Sequence, residues 1–266
     1  MSDLPRITVV TPSFNQAAFL ERTIRSVLDQ GYPNLEYIIV DGGSTDGSVD
    51  IIRRYADRLA WWVSEPDQGQ SHAINKGLQR ATGEWVGWQN SDDVYFPGVF
   101  AQLAEAARCW PRAELIIGDM QLIDEHDRLI REMRYVRPTY ESLLAEGMVL
   151  ANQAAFWQRA LHGRIGWLDE SLHYGFDYEW FLCVLRETDQ VVHVPRCLAA
   201  LRYHDASKTS LSQRLFDAEF RSILAGKMLP GWKKTLYRAR RMFLTLGNGH
   251  FGYVLRGIMR RSGLVR

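Results

Sequence analysis

Gly83-Glu84-Trp85-Val86-Gly87-Trp88-Gln89-Asn90-Ser91-Asp92-Asp93 is the stretch that decides the fold. A glycine opens it, an apolar-rich run follows, and two adjacent carboxylates stand where the run stops. A short apolar run bounded by turn residues reads as a buried strand, which puts Asp92 and Asp93 at the strand's carboxyl end. Open α/β sheets bind their ligands along that edge. The acid pair has two readings there: a seat for a hard divalent cation, which takes carboxylate oxygens and shares substrate phosphates, or a polar turn.

Upstream, strand and helix signals alternate. Arg6 to Thr11 is a β-branched run, and Gln16 to Gln30 carries Phe19, Leu20, Ile24, Val27 and Leu28 at helical spacing. Leu35 to Val40 is a second strand ending at Asp41; the turn Gly42 to Gly47 then leads into a helix bearing Val49, Ile51, Ile52 and Tyr55. A strand at Ala60 to Ser64, a helix from about Ser71 to Arg80, a helix after Pro97 and a strand at Ala113 to Gly118 complete the pattern. The alternation predicts an α/β fold with a mostly parallel sheet and helices on both faces. The second half is less regular: a hairpin within Met120 to Arg134, a helix over Asp177 to Arg186, two short strands at Val191 to Val194 and Cys197 to Tyr203 parted by Pro195, and helices past about Ser210.

The 266 residues allow one large domain, or one domain with an appendage. Cys109, Cys183 and Cys197 are scattered, with no CxxC pair, which argues against a disulfide framework or structural zinc and suits a reducing cytosol. The first residues lack a secretory pattern, and no apolar run approaches the ~18 residues of a spanning helix. The net charge of +1 hides a split: Phe220 to Arg266 holds eleven Lys and Arg and no acid, leaving 21 basic against 31 acidic residues elsewhere, a charge of −10. A basic tail on an acidic body is expected to meet something anionic.

Three loops share the expected strand-end edge: Thr11 to Asn15, Asp41 to Ser44 and Asn90 to Asp93. None carries the dinucleotide pattern GxGxxG, and the chain has no GxxxxGK[ST] phosphate loop. A dehydrogenase or nucleotide-hydrolysing enzyme thereby loses its main support. Asp41 either accepts hydrogen bonds from a base or ribose or caps the turn after it.

The series TPSFN (Thr11 to Asn15), EYIIVDGGSTDGS (Glu36 to Ser48) and SEPDQGQSHAINKGLQRATGEWVGWQNSDDVYFPG (Ser64 to Gly98), correctly ordered and spaced, closely resembles the inverting family 2 glycosyltransferases of the GT-A fold. The likeness runs from Ile7 to about Ser210. It implies a Rossmann-like domain over residues 1–210, beyond which the charge and the helix signals give a basic helical extension over residues 211–266. It also implies that Thr11, Pro12, Ser13, Asn15, Asp41, Asp67, Ser91 and Asp92 line a pocket for the nucleotide of a sugar donor. The family's Asp-x-Asp metal motif reads Asn90-Ser91-Asp92 here. Asp92 aligns with the direct ligand, and Asn90, replacing the first acid, reaches the metal through its carbonyl oxygen or a water. Asp93 either binds metal indirectly or caps the Tyr95-Phe96-Pro97 turn, the second being preferred.

The resemblance places the general base in Tyr174-Gly175-Phe176-Asp177-Tyr178-Glu179-Trp180, where relatives commonly carry Glu-Asp ahead of a helix. Phe176 stands at the first acid, Asp177 is the expected base and Glu179 the runner-up; helix capping is the competing role for Asp177. Leu201 to Ser210 resembles the segment that closes over the donor diphosphate, with His204 completing the metal shell and Arg202 and Lys208 pairing with phosphate. Gln153 and Trp180 are acceptor-side candidates, although a core role is the safer reading for Trp180 and for Trp157. His72 and His126 read as solvated or structural.

The resemblance therefore implies an Mn²⁺- or Mg²⁺-dependent enzyme, carrying a sugar from a nucleotide diphosphate, UDP by family weighting, to a saccharide or lipid-linked acceptor. Such a reaction belongs to cell-surface polysaccharide or glycolipid assembly. A sugar nucleotidyltransferase would need a glycine-rich basic loop after the first strand, which TPSFNQ does not provide. A non-catalytic sugar-nucleotide binder is the other alternative, opposed by the presence of Asp92, Asp177 and His204. The tail's mixture of basic and aromatic residues fits an anionic membrane surface, then a protein partner, with no nucleic acid expected. The enzyme is accordingly expected in the cytoplasm, peripheral on the inner membrane.

Overall fold

The computed structural model describes residues 4–204, 213–248 and 251–255, with the side chains of residues 213–216 left aside. Among them, β1 (Ile7–Ser13), β2 (Leu35–Asp41), β3 (Trp61–Ser64) and β4 (Trp85–Trp88) alternate with α1 (Ala17–Leu28), α2 (Ser48–Arg54) and α3 (Gln70–Arg80). There follow β5 (Val94–Tyr95), α4 (Val99–Cys109), the hairpin β6 (Leu115–Ile123) and β7 (Leu129–Met133), and α5 (Tyr140–Glu146). β8 (Ala155–Gln158), α6 (His162–Ile165), α7 (Phe176–Glu187) and β9 (Val191–Arg202) complete the body, and α8 (Gln213–Ile223) and α9 (Gly231–Gly247) form the extension.

The strands make one sheet in the order β3-β2-β1-β4-β8-β6-β9-β5, with β7 paired on β6. β1 pairs in parallel with both β2 and β4, so the chain leaves β1 to one side and later returns on the other. That reversal of direction opens a crevice at the carboxyl ends of β1 and β4, the place where such sheets take ligands. Every residue of β1 and of β4 is buried, as expected of strands covered on both faces, where the hydrophobic run is continuous rather than alternating. Trp88 at the end of β4 packs edge-on against Trp157 of β8 and stacks on Phe181 of α7, joining the two halves of the chain in one core. Glu36, also buried, accepts bonds from Thr8, from Arg6 and from the backbone and hydroxyl of Thr82, tying β1 and β2 to the turn before β4.

One element differs from expectation. The two short strands either side of Pro195 are a single strand, β9, paired in parallel with β6 along its whole length. Proline has no N–H for the ladder, so the register slips at Gly118 to Met120 and the strand continues beyond a bulge. The expected boundary near residue 210 lies outside the described residues. Among the described residues, no helix is long and apolar enough to cross a membrane.

Candidate active site

A cleft of about 660 Å³ opens at the carboxyl edge of β1, β2 and β4, lined by Pro12, Ser13, Phe14, Asp67, Ser91 and Asp92 among others. The Phe14 ring in this lining is 60% exposed. Beside it, the Asp67 carboxylate reaches over Gly42, where a Cβ would meet its Oδ2 at 2.5 Å and the Phe14 ring at 3.3 Å. Glycine at 42 thus makes room for an aromatic face and a carboxylate side by side. Asp67 is steadied by the Gly69 N–H, which donates to Oδ1 at 2.8 Å. The buried Ser13 hydroxyl has no partner among the described residues and borders the same cleft.

Three expected pocket residues are placed differently. Asp41 is fully buried: its Oδ2 accepts from Gly43 N, Ser44 N and Ser64 Oγ, and its Oδ1 from Ser44 Oγ at 2.6 Å. These donors occupy the carboxylate, so Asp41 shapes the β2 loop rather than facing a base. Thr11 lies within the sheet, its hydroxyl 3.0 Å from that of Tyr37. Asn15, in the left-handed region at φ 51°, accepts from Thr45 N through Oδ1 and donates its own N–H to Ser44 Oγ, which ties the β1 loop to the β2 loop.

Elsewhere in the cleft lining, Asp92 Oδ2 lies 3.1 Å from His204 Nε2. Neighbouring ligands of an octahedral cation with ~2.1 Å bonds are about 3 Å apart, so this pair fits two adjacent positions on Mg²⁺ or Mn²⁺ and leaves the rest for phosphate oxygens and water. Among the described residues no three His, Cys, Asp or Glu side chains converge, so a cation here would share its shell with substrate. Asn90 is otherwise engaged: its Oδ1 accepts from Gln70 Nε2 at 2.9 Å and its Nδ2 donates to Asp93 Oδ2 at 3.0 Å.

Asp93 is no cap for the turn after it. Its Oδ1 accepts from Arg202 N at 2.8 Å, and its Oδ2 from Gln153 Nε2 at 2.9 Å and from Asn90. Burial, and then the Asp92 charge beside it, push the Asp93 carboxyl well above the usual carboxylate range. Gln153 is therefore a prop behind Asp93 and faces no acceptor. Arg202, expected on the diphosphate, is 1% exposed. Its guanidinium donates to Asp92 O and Asp124 O and pairs with Asp127 at 2.6 Å, so at the cleft wall it is committed to fixing the backbone under Asp92. Lys208 lies outside the described residues.

Asp177 occupies the first turn of α7, half-buried, with Oδ1 accepting from Tyr178 N at 2.7 Å. The preceding Phe176 packs its ring against Trp88 at 6.3 Å, which fixes this turn close to the end of β4. Glu179 accepts the Cys183 thiol at 3.0 Å, one turn along its own helix. Trp180 is buried to 1% exposure between Trp157 and His162 and shows no face to an acceptor. Phe14 and Gln70 were missed by the sequence reading. Phe14 left one signal, an aromatic in a polar strand-end loop; Gln70 left none.

The sequence profile of glycosyl transferase family 2 matches residues 8–152, which run from β1 to Asn152, just before Gln153. The chain belongs to glycosyl transferase family 2. A glycosyltransferase of Mycobacterium tuberculosis H37Rv is 35% identical over 188 residues, covering 68% of this chain and 70% of that protein. In fold, this family 2 enzyme is similar to Staphylococcus aureus TarS, crystallised in complex with UDP-GlcNAc. That match has a TM-score of 0.69 at 16% identity and covers 87% of this chain and 70% of that one. A mannosyltransferase of Pyrobaculum calidifontis, in complex with GDP-Man and Mn²⁺, superposes with a TM-score of 0.59 at 21% identity, covering 89% and 69%.

Proposed function

We propose that this glycosyltransferase moves a sugar from a UDP-sugar to an acceptor hydroxyl by single displacement with inversion at the sugar carbon. The observation that carries the reading is one cleft lined by Phe14, Asp67 and Asp92, in which Phe14 and Asp67 meet over Gly42 and Asp92 pairs with His204. The ring offers a stacking face for a base, the Asp67 carboxylate an acceptor for its N–H, and Ser13 a further hydroxyl. The complexes of TarS with UDP-GlcNAc and of the Pyrobaculum enzyme with GDP-Man and Mn²⁺ support a nucleoside-diphosphate sugar as the donor class.

Asp92 and His204 would hold the divalent cation, with Asn90 and Asp93 supporting Asp92 from behind. A bound cation supplies Lewis-acid stabilisation of the charge that develops on the diphosphate. Arg202 keeps the Asp92 backbone in place for it. On the opposite face of the sugar, Asp177 takes the proton from the acceptor hydroxyl as that oxygen attacks the anomeric carbon and the bond to the diphosphate breaks. An ionised carboxylate does this when it lies within hydrogen-bond reach of the hydroxyl. No covalent intermediate forms.

The acceptor is a saccharide or lipid-linked saccharide of the cell surface, met at the cytoplasmic membrane face. α9 supports that placement. Trp232, Leu236 and Phe243 share one exposed stripe, spaced four and seven residues apart, and the helix carries Lys233, Lys234, Arg238, Arg240 and Arg241 without an acid. Basic amphipathic helices of this kind lie in the plane of anionic lipid surfaces.

Calorimetry with UDP and Mn²⁺, run beside a transfer assay on a panel of UDP-sugars, tests the reading. Asp177→Asn is expected to keep UDP affinity within about twofold and to lose roughly 100-fold or more in kcat, the size of a general-base contribution. Equal turnover in the two proteins refutes the assignment of the base.

A further inference from the structure

The loop that leads into the turn carrying Asp177 is held from a distance. α7 starts after Gly175. The acceptor for the loop's backbone comes from the extension. Glu219 on α8 takes three consecutive backbone donors just ahead of the helix: His173 N on Oε1 at 2.9 Å, and Tyr174 N and Gly175 N on Oε2 at 2.8 Å each. A carboxylate next to a helix N-terminus is also favoured by the helix dipole.

We propose that Glu219 is a positioning residue for the general base, so that the C-terminal extension completes the active site instead of merely trailing from it. This rests on the assignment of Asp177 as base. The packing around the carboxylate is close. A Cβ on residue 175 would lie 2.7 Å from Ile223 Cδ1, so the loop and α8 are in close contact here. Next to Glu219, Phe220 covers the Tyr178 ring at 4.4 Å. Burial would raise the Glu219 carboxyl, but the three N–H donors outweigh it and hold it below the usual carboxylate range. The charge therefore persists at neutral pH while the loop stays bound to it.

The functional weight follows from distance along the chain. Asp177 is two residues beyond Gly175, and a displacement of about 1 Å in a reacting group costs on the order of 100-fold in rate. Pro12, Ser13 and Asp92 are held by the ends of β1 and β4, which Glu219 does not bond; of the donor-pocket residues Asp67, on the loop after β3, lies nearer, because Gly69 sits beside the His173 ring. Loss of Glu219 should consequently separate turnover from donor binding. Glutamine is no substitute, because its NH₂ group would face N–H donors and leave part of the trio unpaired.

The full chain is compared as wild type, Glu219→Ala, Glu219→Gln, Phe220→Ala and Asp177→Asn. Both Glu219 variants are expected to lose at least tenfold in kcat while UDP affinity, measured by calorimetry, stays within threefold. Amide exchange at residues 173–175 should accelerate in the same two proteins. Phe220→Ala loosens the same helix without touching the carboxylate, so it should lower Tm yet keep kcat within threefold. The proposal is overturned if Glu219→Gln turns over within twofold of wild type while Asp177→Asn is inactive. It is also overturned if Phe220→Ala loses as much kcat as the Glu219 variants, since docking of α8 alone would then account for the effect. Wild-type turnover in Asp177→Asn marks a different failure, that of the base assignment, and the proposal falls with it.

Discussion

Acidification should destabilise this protein through one histidine. His162 is stacked between Trp167 and Trp180, with ring centroids 4.4 and 4.7 Å away and interplanar angles of 22° and 21°. Its Nε2 accepts the Trp157 indole N–H at 3.0 Å, so the ring's proton is on Nδ1, facing Gly166 O at 2.9 Å. A second proton on Nε2 would point at an N–H donor. Burial, only partly opposed by the Gly166 bond, lowers the imidazole from its ordinary 6.5 to about 4. The unfolded chain takes up this proton near pH 6.5 and the folded chain not until about pH 4. The histidine's contribution is therefore whole above pH 6.5 and lost as the pH falls through that window. Two and a half pH units correspond to about 3 kcal/mol in full, of which roughly 2 kcal/mol is gone between pH 7 and pH 5. Urea unfolding of wild type and His162→Phe at pH 7, 6 and 5 isolates the effect. Phenylalanine keeps the stack but leaves the Trp157 N–H unpaired, a pH-independent cost of about 1–3 kcal/mol. The stability advantage of wild type over the variant should shrink by roughly 2 kcal/mol from pH 7 to pH 5. A difference that stays constant, or widens on acidification, refutes a neutral buried imidazole.

Two further outcomes bear on the cleft and on the extension. Phe14→Ala should weaken UDP binding by roughly tenfold, since base–aromatic stacking is worth about 1–3 kcal/mol, while the exposed position keeps folding stability within about 0.5 kcal/mol; unchanged affinity in calorimetry would remove the ring from the base site. Replacing Trp232, Leu236 and Phe243 together by serine should abolish sedimentation with vesicles rich in anionic lipid without lowering transfer to a soluble acceptor. Undiminished sedimentation would place the membrane contact elsewhere, because the apolar face and the basic residues act together in such helices.

The sheet was legible because periodicity is local. VVT, YIIV and WVGW each announce a buried strand, and the acids and hydroxyls that follow them fall at one edge by topology alone. The role of a side chain at that edge depends on partners distant in sequence, and there the expectations failed in particular ways. Asp41 looks available until Ser64, 23 residues later, joins Gly43 and Ser44 in occupying its oxygens. Arg202 looks like a phosphate ligand until the left-handed Asp127 pairs with its guanidinium. Trp180 fits an acceptor platform in sequence, yet the α7 face it occupies packs on β8 and α6. Glu219 carried no signal at all, being one acid in an amphipathic helix whose targets are backbone N–H groups.

The acid pair shows how adjacency can mislead. Neighbouring residues where a strand ends direct their side chains to different sides, so two like groups in sequence meet unlike surroundings. Asp92 opens into the cleft toward His204, whereas Asp93 turns inward and collects Asn90, Gln153 and the backbone of Arg202. Those three partners come from the β4 edge, the turn before β8 and the end of β9. Asp93 thus fastens the irregular second half of the chain onto the regular first half. The fastening has a chemical consequence, because β9 leads directly into His204. A cation site made of Asp92 and His204 would draw on residues more than a hundred positions apart, and it is the buried neighbour, with its inward bonds, that brings those two strand ends together. Asn at position 90 suits this arrangement better than an acid would. Its Nδ2 donates to Asp93 Oδ2, which an ionised carboxylate at position 90 could not do. The departure from Asp-x-Asp therefore follows from the way Asp93 is used, and it leaves the proposed cation-binding role to Asp92 with His204.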